Sequence, residues 1–206
     1  MSNLMNINVL LLVLLNFTIF SCSNSSDRLA TLSSDATILA FGDSLTFGTG
    51  ADKNAAYPIR LANLTNMKVI NAGIPGEVSS KGLERLPQLL KKHKPDLLIL
   101  IHGGNDILRK LPRENQKNNL LAMIDLAISN NTQVVLFGVP QPGLFLKSAE
   151  IYEQIGDQTG IPTELSLLPK ILGDKSLKSD IAHPNAKGYQ QMADGIYAFL
   201  QDTGLM

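Results

Sequence analysis

The chain has 206 residues, of which 44% are hydrophobic, so it is long enough for one domain with a buried core and needs no second domain. Lysine plus arginine and aspartate plus glutamate each number 18, which gives a formal net charge of zero. Nucleic-acid binding depends on a basic field facing the phosphates, so this balance argues against a nucleic-acid partner.

The first 22 residues differ from the rest of the chain. Residues 9–20 are almost wholly apolar, which is too short for a membrane span of about 20 residues but fits a signal-peptide core. The single cysteine, Cys22, follows Ser21 and precedes a polar run at 23–26. This arrangement resembles the lipobox of bacterial lipoproteins. The resemblance implies cleavage before Cys22 and attachment to a membrane through acyl chains on that residue.

We therefore expect a signal peptide at 1–22, a polar tether at 23–36 and a folded domain at 37–206. The expected location is the periplasm or the outer cell envelope, as an exported lipoprotein. The alternative is ordinary cleavage after Ser23, which would release a soluble periplasmic or secreted protein. The domain itself contains no cysteine, so neither disulfides nor thiolate metal sites hold it together.

Short apolar runs alternate with helical patterns along the domain. The runs at 37–41, 68–71, 96–101 and 133–139 predict strands. The last two contain uninterrupted rather than alternating apolar residues, which is the pattern of strands buried on both faces of a parallel sheet. Helices are predicted at 57–66, 79–92, 114–129, 147–159 and 186–199, with Pro87 bending or interrupting the second. The alternation predicts an α/β protein with a flavodoxin-like, three-layer α/β/α arrangement around a central parallel sheet.

Four short polar stretches lie at the ends of predicted strands or before the last helix. They are Gly42-Asp43-Ser44-Leu45, Gly73-Ile74-Pro75-Gly76, Gly103-Gly104-Asn105-Asp106 and Asp180-Ile181-Ala182-His183-Pro184. Each by itself is compatible with an ordinary turn. Ligands bind outside the carboxyl ends of the strands in such sheets, so we expect the first three stretches to share one edge. Four of them in order therefore indicate an active site.

Ser44, His183 and Asp180 have the residue types of a nucleophile, a base and an orienting acid. A serine hydroxyl attacks only when a base accepts its proton, and the base needs a partner on its other ring nitrogen. Asp180 precedes His183 by three positions, so one tight loop can bring the carboxylate to Nδ1 while Nε2 faces Ser44. For the oxyanion, we expect donors from the backbone N–H groups of Ser44 and Gly76 and the side-chain amide of Asn105.

The four stretches resemble the motif blocks of the SGNH, or GDSL, hydrolase family over residues 38–200. The resemblance implies the SGNH hydrolase fold, Ser44 as nucleophile, His183 as base with Asp180, and Gly76 and Asn105 as oxyanion donors. It also implies a serine esterase that hydrolyses carboxylic esters or thioesters through an acyl-enzyme, and a small acyl-ester or lipid substrate.

Two segments are similar to one branch of that family, the bacterial arylesterases, acyl-CoA thioesterases and lysophospholipases. They are residues 82–87 and 105–109. Residues 140–147 are shorter than the corresponding loop of that branch and lack its tyrosines, which leaves the substrate preference open. Apolar residues beside the expected active edge are candidates for an acyl groove, although each is equally compatible with a place in the core. They are Ile107, Leu108, Leu111, Leu144, Phe145 and Leu146.

Several competing assignments are weaker. His102 is the rival base, while Asp43 and Asp106 are expected to support their loops rather than to contact substrate. Thr46 stands where the second glycine of a G-x-S-x-G elbow belongs, and no dinucleotide, phosphate-loop or H-E-x-x-H pattern occurs. No cofactor and no metal is therefore expected. The alternatives for function are a carbohydrate O-deacetylase and a non-catalytic lipid- or glycan-binding lipoprotein, and the oligomeric state stays open.

If Cys22 carries the lipid, the variant Cys22→Ser should move from the membrane fraction to the soluble fraction, because the acyl chains provide the membrane affinity. Fractionation of cells that express each form, followed by immunodetection, measures this. Equal sedimentation of both forms with membranes would contradict the lipid anchor.

Overall fold

A computed structural model of the chain describes residues 29–142 and 146–206. The predicted signal peptide with Cys22 lies outside the described residues, and so do Leu144 and Phe145 of the predicted groove.

The strands fall where the apolar runs predict them, and short ones are added. In chain order they are β1 (Thr37–Gly42), β2 (Lys68–Gly73), β3 (Leu97–Ile101), β4 (Gln133–Phe137), β5 (Pro140–Gln141), β6 (Lys147–Ser148) and β7 (Thr163–Glu164). Five of them form a parallel sheet in the order β2-β1-β3-β4-β7, while β5 and β6 form a separate antiparallel pair. This is the flavodoxin-like order, which confirms the predicted fold class.

The centre of the sheet is fully buried. All five residues of β3 have no exposed surface, and β1 is buried from Ile38 to Gly42. β3 lies between β1 and β4, so both of its faces and both of its edges are covered. A continuous apolar run is the pattern that such a position requires.

Helices cover the two faces of the sheet. They are α1 (Ser44–Phe47), α2 (Tyr57–Thr65), α3 (Ser79–His93), α4 (Gly104–Leu108), α5 (Arg113–Ser129), α6 (Glu150–Thr159), α7 (Leu167–Gly173) and α8 (Ala186–Asp202). The chain moves from β1 outward to β2 and then crosses back over β1 to β3, so right-handed connections put α2 and α3 on opposite faces. Accordingly α2 and α7 pack against α8, whereas α3 and α6 pack against α5.

The helices differ from the sequence prediction most clearly at two places. The helix predicted at 147–159 begins only at Glu150, because Lys147 and Ser148 pair with Gln141 and Pro140 in the β5–β6 ladder. Pro87 does not interrupt α3, which continues to His93. Leu86 and Leu90 on either side of the proline are buried in the core, and this packing holds the helix together where a backbone hydrogen bond is missing.

Residues 29–36, which the sequence places in the polar tether, pack against the domain. Leu32 is 8% exposed and its N–H donates to the carbonyl of Leu205 at 2.8 Å. Ala30 exchanges two hydrogen bonds with the side chain of Gln133, the first residue of β4, at 2.7 and 2.8 Å. The chain therefore joins the domain at the amino ends of the strands. Within the described residues, none of the helices combines the length and apolarity that crossing a membrane requires.

The buried centre of β3 should dominate the stability of the domain. Ile99→Ala should lower the free energy of unfolding by about 2–5 kcal/mol, because it leaves a cavity that the sheet cannot close. Ile128→Ala is the matched control, since that side chain is 52% exposed at the end of α5. Denaturant unfolding measures both, and equal losses would contradict the assignment of the core.

Candidate active site

Ser44 sits at a sharp turn between β1 and α1. A Cβ at Gly42 would collide with the carbonyl oxygen of Ile101, so only glycine lets β1 end this close to β3. Asp43 then caps α1 by accepting the N–H of Leu45 at 3.1 Å. Ser44 is the first residue of α1, so its own N–H belongs to the first turn, whose amides lack intrahelical acceptors. The turn thus presents the Ser44 hydroxyl and its N–H at the carboxyl edge of the sheet.

The loop before α8 brings His183 to Ser44. His183 Nε2 lies 3.0 Å from Ser44 Oγ, and Asp180 Oδ2 lies 2.8 Å from His183 Nδ1. Asp180 Oδ1 also accepts the backbone N–H groups of Ala182 and His183 at 2.8 and 2.9 Å. The carboxylate therefore holds its own loop as well as the imidazole. Asn185 caps α8 directly after this loop by accepting the N–H groups of Lys187 and Gly188, both at 3.0 Å.

Two further predicted residues reach the same place. Asn105 follows Gly104 at the start of α4, and its Nδ2 donates to the carbonyl of Glu77 at 3.0 Å and to Asp43 Oδ2 at 3.3 Å. Gly76 has a φ of 77°, in the left-handed region that favours glycine, and it lines the same cavity as Ser44. The strand ends thus bring Ser44, Gly76 and Asn105 to one edge, where His183 faces them.

The two aspartates next to these motifs support loops, as the sequence predicts. Asp43 is buried and accepts backbone or side-chain N–H groups from Leu45, Gly104 and Asn105. Asp106 accepts the N–H of Ser79 at 2.8 Å and its hydroxyl at 2.6 Å, which fastens α4 to the start of α3. Neither carboxylate contacts His183.

His102 lies beneath the site rather than in it. The ring has no exposed surface, and its Nε2 is 3.1 Å from Glu77 Oε2. Arg85 donates to both carboxylate oxygens of Glu77 at 2.7 to 2.9 Å, and its guanidinium stacks on the Phe41 ring at 4.1 Å. The sequence motifs do not mark Glu77 and Arg85 as a pair. Their opposite charges, eight positions apart across a loop and a helix, were the only signal.

The three carboxylates have different electrostatic surroundings. Burial raises the pKa of Asp43 above its ordinary value, although the hydrogen bonds from Leu45 and Gly104 partly offset the effect. Burial also raises the pKa of Glu77, but the hydrogen bonds from His102 and Arg85 outweigh it, so the net pKa is lowered. The pKa of Asp180 is likewise lowered, because hydrogen bonds from His183 and Ala182 exceed the desolvation by burial. Asp180 therefore remains an acceptor for the His183 ring over a wide pH range.

A cavity of about 810 Å³ opens beside Ser44. Ser44, Asn105 and His183 lie in its wall, and the rest is mainly apolar. Its apolar residues include Leu45, Pro75, Leu108, Val139, Leu146 and Ile181. Leu108 and Ile181 are 59% and 90% exposed, so they form its rim.

The structure places the residues of the predicted groove differently from one another. Leu108 and Leu146 line the cavity, but Ile107 packs against the core and Leu111 is outside the cavity wall. Ile181 was missed, although its position between Asp180 and His183 was visible in the sequence. Across residues 29–142 and 146–206, no three His, Cys, Asp or Glu side chains gather in a group suited to a metal ion.

Comparison with known proteins gives a consistent family. The GDSL-like Lipase/Acylhydrolase family matches residues 40–191. The chain is 30% identical over 177 residues to the thioesterase 1/protease 1/lysophospholipase L1 of Escherichia coli K12, covering 80% of this chain and 83% of the relative. It is also 30% identical over 165 residues to an arylesterase of Vibrio mimicus, covering 77% and 80% of the two chains.

A solved structure shares the fold. The psychrotrophic esterase EstA from Pseudoalteromonas sp., crystallised as inhibited by monoethylphosphonate, superposes with a TM-score of 0.72 at 26% identity. The superposition covers 82% of this chain and 98% of the esterase.

Because the pKa of Glu77 is lowered on folding, its carboxylate stabilises the fold at neutral pH. Glu77→Gln should lower the free energy of unfolding by on the order of 3 kcal/mol at pH 7, since it leaves Arg85 without its charge partner. This difference should shrink once the pH falls below the ordinary carboxyl pKa of about 4.3 and through the lower folded value. Denaturant unfolding of both proteins at neutral and acid pH measures it.

Glu84→Gln is the matched control, because Glu84 pairs with Lys81 at the exposed surface of α3, the helix that carries Arg85. It should change stability little at either pH. A Glu77→Gln difference that is the same at pH 7 and in acid would contradict the electrostatic role of Glu77.

Proposed function

Because the chain belongs to the GDSL-like lipase/acylhydrolase family, we propose that it hydrolyses carboxylic esters or thioesters of an acyl chain, with Ser44 as the nucleophile. The observation that carries this proposal is the hydrogen-bonded series from Asp180 through His183 to Ser44, with distances of 2.8 and 3.0 Å. Its members have the residue types and the contacts of a nucleophile, a general base and its orienting acid.

The first half of the reaction forms an acyl-enzyme. His183 Nε2 accepts the hydroxyl proton as Ser44 Oγ attacks the carbonyl carbon, and Asp180 stabilises the imidazolium. The carbonyl oxygen becomes an oxyanion that accepts hydrogen bonds from the N–H groups of Ser44 and Gly76 and from Asn105 Nδ2. The bond to the alcohol or thiol then breaks, and the leaving group takes the proton from His183.

The second half returns the enzyme to its starting state. A water molecule gives a proton to His183 and attacks the acyl carbon of the ester on Ser44. The second tetrahedral intermediate uses the same oxyanion donors. When it collapses, Ser44 Oγ leaves with the proton from His183 and the carboxylic acid is released.

The cavity favours an acyl chain longer than acetyl. Its volume of about 810 Å³ is in the range of pockets that hold drug-sized ligands, and its wall is mainly apolar. The names of the E. coli and Vibrio mimicus relatives, a thioesterase/lysophospholipase and an arylesterase, support the same substrate class. Carbohydrate O-deacetylation is less favoured, because an acetyl group would leave most of this wall without contact.

For localisation, we propose that the protein is exported and held at the cell envelope through Cys22. This proposal rests on residues 1–26 of the sequence alone. The fractionation of Cys22→Ser tests it independently of activity.

Hydrolysis of p-nitrophenyl esters from acetyl to long acyl chains is the direct test. Ser44→Ala should abolish turnover, with a loss of about 10⁶-fold in kcat, because no other side chain can form the acyl-enzyme. We expect kcat/KM to peak at medium or long chains. Ser176→Ala is the matched control, since Ser176 hydrogen-bonds Asp174 at the exposed surface.

The other outcomes have defined meanings. Activity confined to acetyl esters would favour the sugar deacetylase. Equal inactivity of the wild-type and Ser44→Ala proteins on all chain lengths would favour a non-catalytic binding protein. A phosphonate ester that labels the wild-type protein, but not Ser44→Ala, would identify the nucleophile even with a slow substrate.

A further inference from the structure

His102 and Glu77 form a buried polar cluster that the reaction itself does not use. The His102 ring is fully buried and the Glu77 side chain is only 6% exposed. Two ionisable groups in such surroundings are costly unless their hydrogen bonds are satisfied. Here both groups are hydrogen-bonded to the loops that carry Gly103 and Asn105.

The hydrogen bonds define the protonation state of His102. The N–H of Gly103 donates to His102 Nδ1 at 2.8 Å, so Nδ1 must carry a lone pair. The ring proton is then on Nε2, which donates to Glu77 Oε2 at 3.1 Å. His102 is therefore a neutral imidazole in this arrangement, and adding a proton to Nδ1 would remove the acceptor of Gly103.

Glu77 is fixed from two sides and in turn fixes Asn105. Arg85 donates hydrogen bonds to the Glu77 carboxylate. It also donates to the carbonyls of Gly42 and Ala72, at the ends of β1 and β2, at 3.2 and 2.8 Å. The backbone carbonyl of Glu77 accepts one N–H of Asn105 at 3.0 Å. An amide nitrogen has two N–H donors, and the second contacts Asp43 Oδ2 at the longer distance of 3.3 Å. The bond to Glu77 therefore fixes the amide plane from which that second N–H can turn to an oxyanion.

The backbone between His102 and Asn105 is also held, by hydrogen bonds from two neighbouring helices. Tyr152 of α6 donates its hydroxyl to the carbonyl of His102 at 2.7 Å, and Gln116 of α5 donates to the carbonyl of Gly103 at 3.1 Å. On the other side of the ring, a Cβ at Gly82 would collide with His102 Nε2, so α3 packs directly against the imidazole. These contacts hold the imidazole ring of His102 in one position.

We propose that His102 is a positioning residue for the oxyanion donor Asn105. Its Nε2–H holds Glu77, and the carbonyl of Glu77 holds the Asn105 amide in the orientation that receives the developing negative charge. His102 touches neither the substrate nor Ser44. This inference rests on the proposed function, because it assigns Asn105 to the oxyanion.

Two substitutions separate the two hydrogen bonds of the ring. In His102→Gln, the side-chain amide nitrogen can replace Nε2 and donate to Glu77, but Gly103 loses its acceptor. In His102→Asn, the side-chain oxygen can replace Nδ1 and accept from Gly103, but Glu77 loses its donor. We expect His102→Gln to keep kcat within about threefold and His102→Asn to lose about tenfold, with KM within about twofold, since a small misplacement of a donor weakens mainly the transition state.

A double-mutant cycle with Asn105→Ala shows whether the effect passes through Asn105. That variant alone should lose about 100-fold in kcat, as expected for one oxyanion donor. Adding His102→Asn to it should cost less than about twofold, because the group that His102 positions is gone. Leu90→Ala, a buried change at the far end of α3, is the control for loss of stability, and its effect should be the same in both backgrounds.

Loss of the same factor by His102→Asn in both backgrounds would overturn the proposal, and so would full activity in His102→Asn with loss in His102→Gln. Nitrogen-15 spectra of the labelled imidazole give a readout that needs no turnover. They should show the proton of His102 on Nε2 at neutral pH, and a ring protonated on Nδ1 would overturn the proposal. Absence of esterase activity in the wild-type protein would refute the proposed function instead, and the spectra would still test the network.

Discussion

The geometry of the site depends on the buried carboxylate of Asp43. It accepts the N–H of Leu45 in the turn that carries Ser44, and it accepts N–H groups from Gly104 and Asn105 in the loop after β3. One side chain thereby joins the turn that carries Ser44 to the loop that carries Asn105. Burial of a carboxylate is unfavourable, as its raised pKa indicates, and these three donors are what makes it tolerable.

Asp180 has the opposite environment. Its side chain is 52% exposed, and its position depends on the backbone N–H groups of its own loop rather than on burial. Its lowered pKa keeps it ionised beside His183. The two aspartates therefore differ in what they do to the structure: Asp43 connects two loops, and Asp180 places a negative charge beside the His183 ring.

The sequence predicts the parts of this molecule that depend on local pattern. The continuous apolar run of β3 and the four motif blocks lead directly to the parallel sheet and to the residues at its edge. The two-residue strand β7 is too short to have a pattern, and the β5–β6 pair replaces the start of a predicted helix because residues 147–148 pair with residues 140–141 instead. Local periodicity carries no information about such pairings.

The site residues also divide into those that the sequence pattern predicts and those that come together only in the fold. Ser44, Asn105, Asp180 and His183 are recognisable from residue type and spacing, and the structure brings them together. Ile107 carries the same apolar signal as Leu108, yet Ile107 packs against the core and Leu108 lies on the cavity rim. The Glu77–Arg85–His102 cluster needs β1, β2, β3 and α3 to be assembled before its members meet, so it follows from the fold and not from the motifs.

Residues 29–36 attach to the domain at one end of the sheet. Ala30 is held at the first residue of β4, whereas Ser44 and Asn105 lie beyond the opposite ends of their strands. The attachment of residues 29–36 and the edge with Ser44 are thus at opposite ends of the sheet. Residues 29–36 therefore leave the edge that carries Ser44 and Asn105 uncovered, because they contact the sheet at its other end.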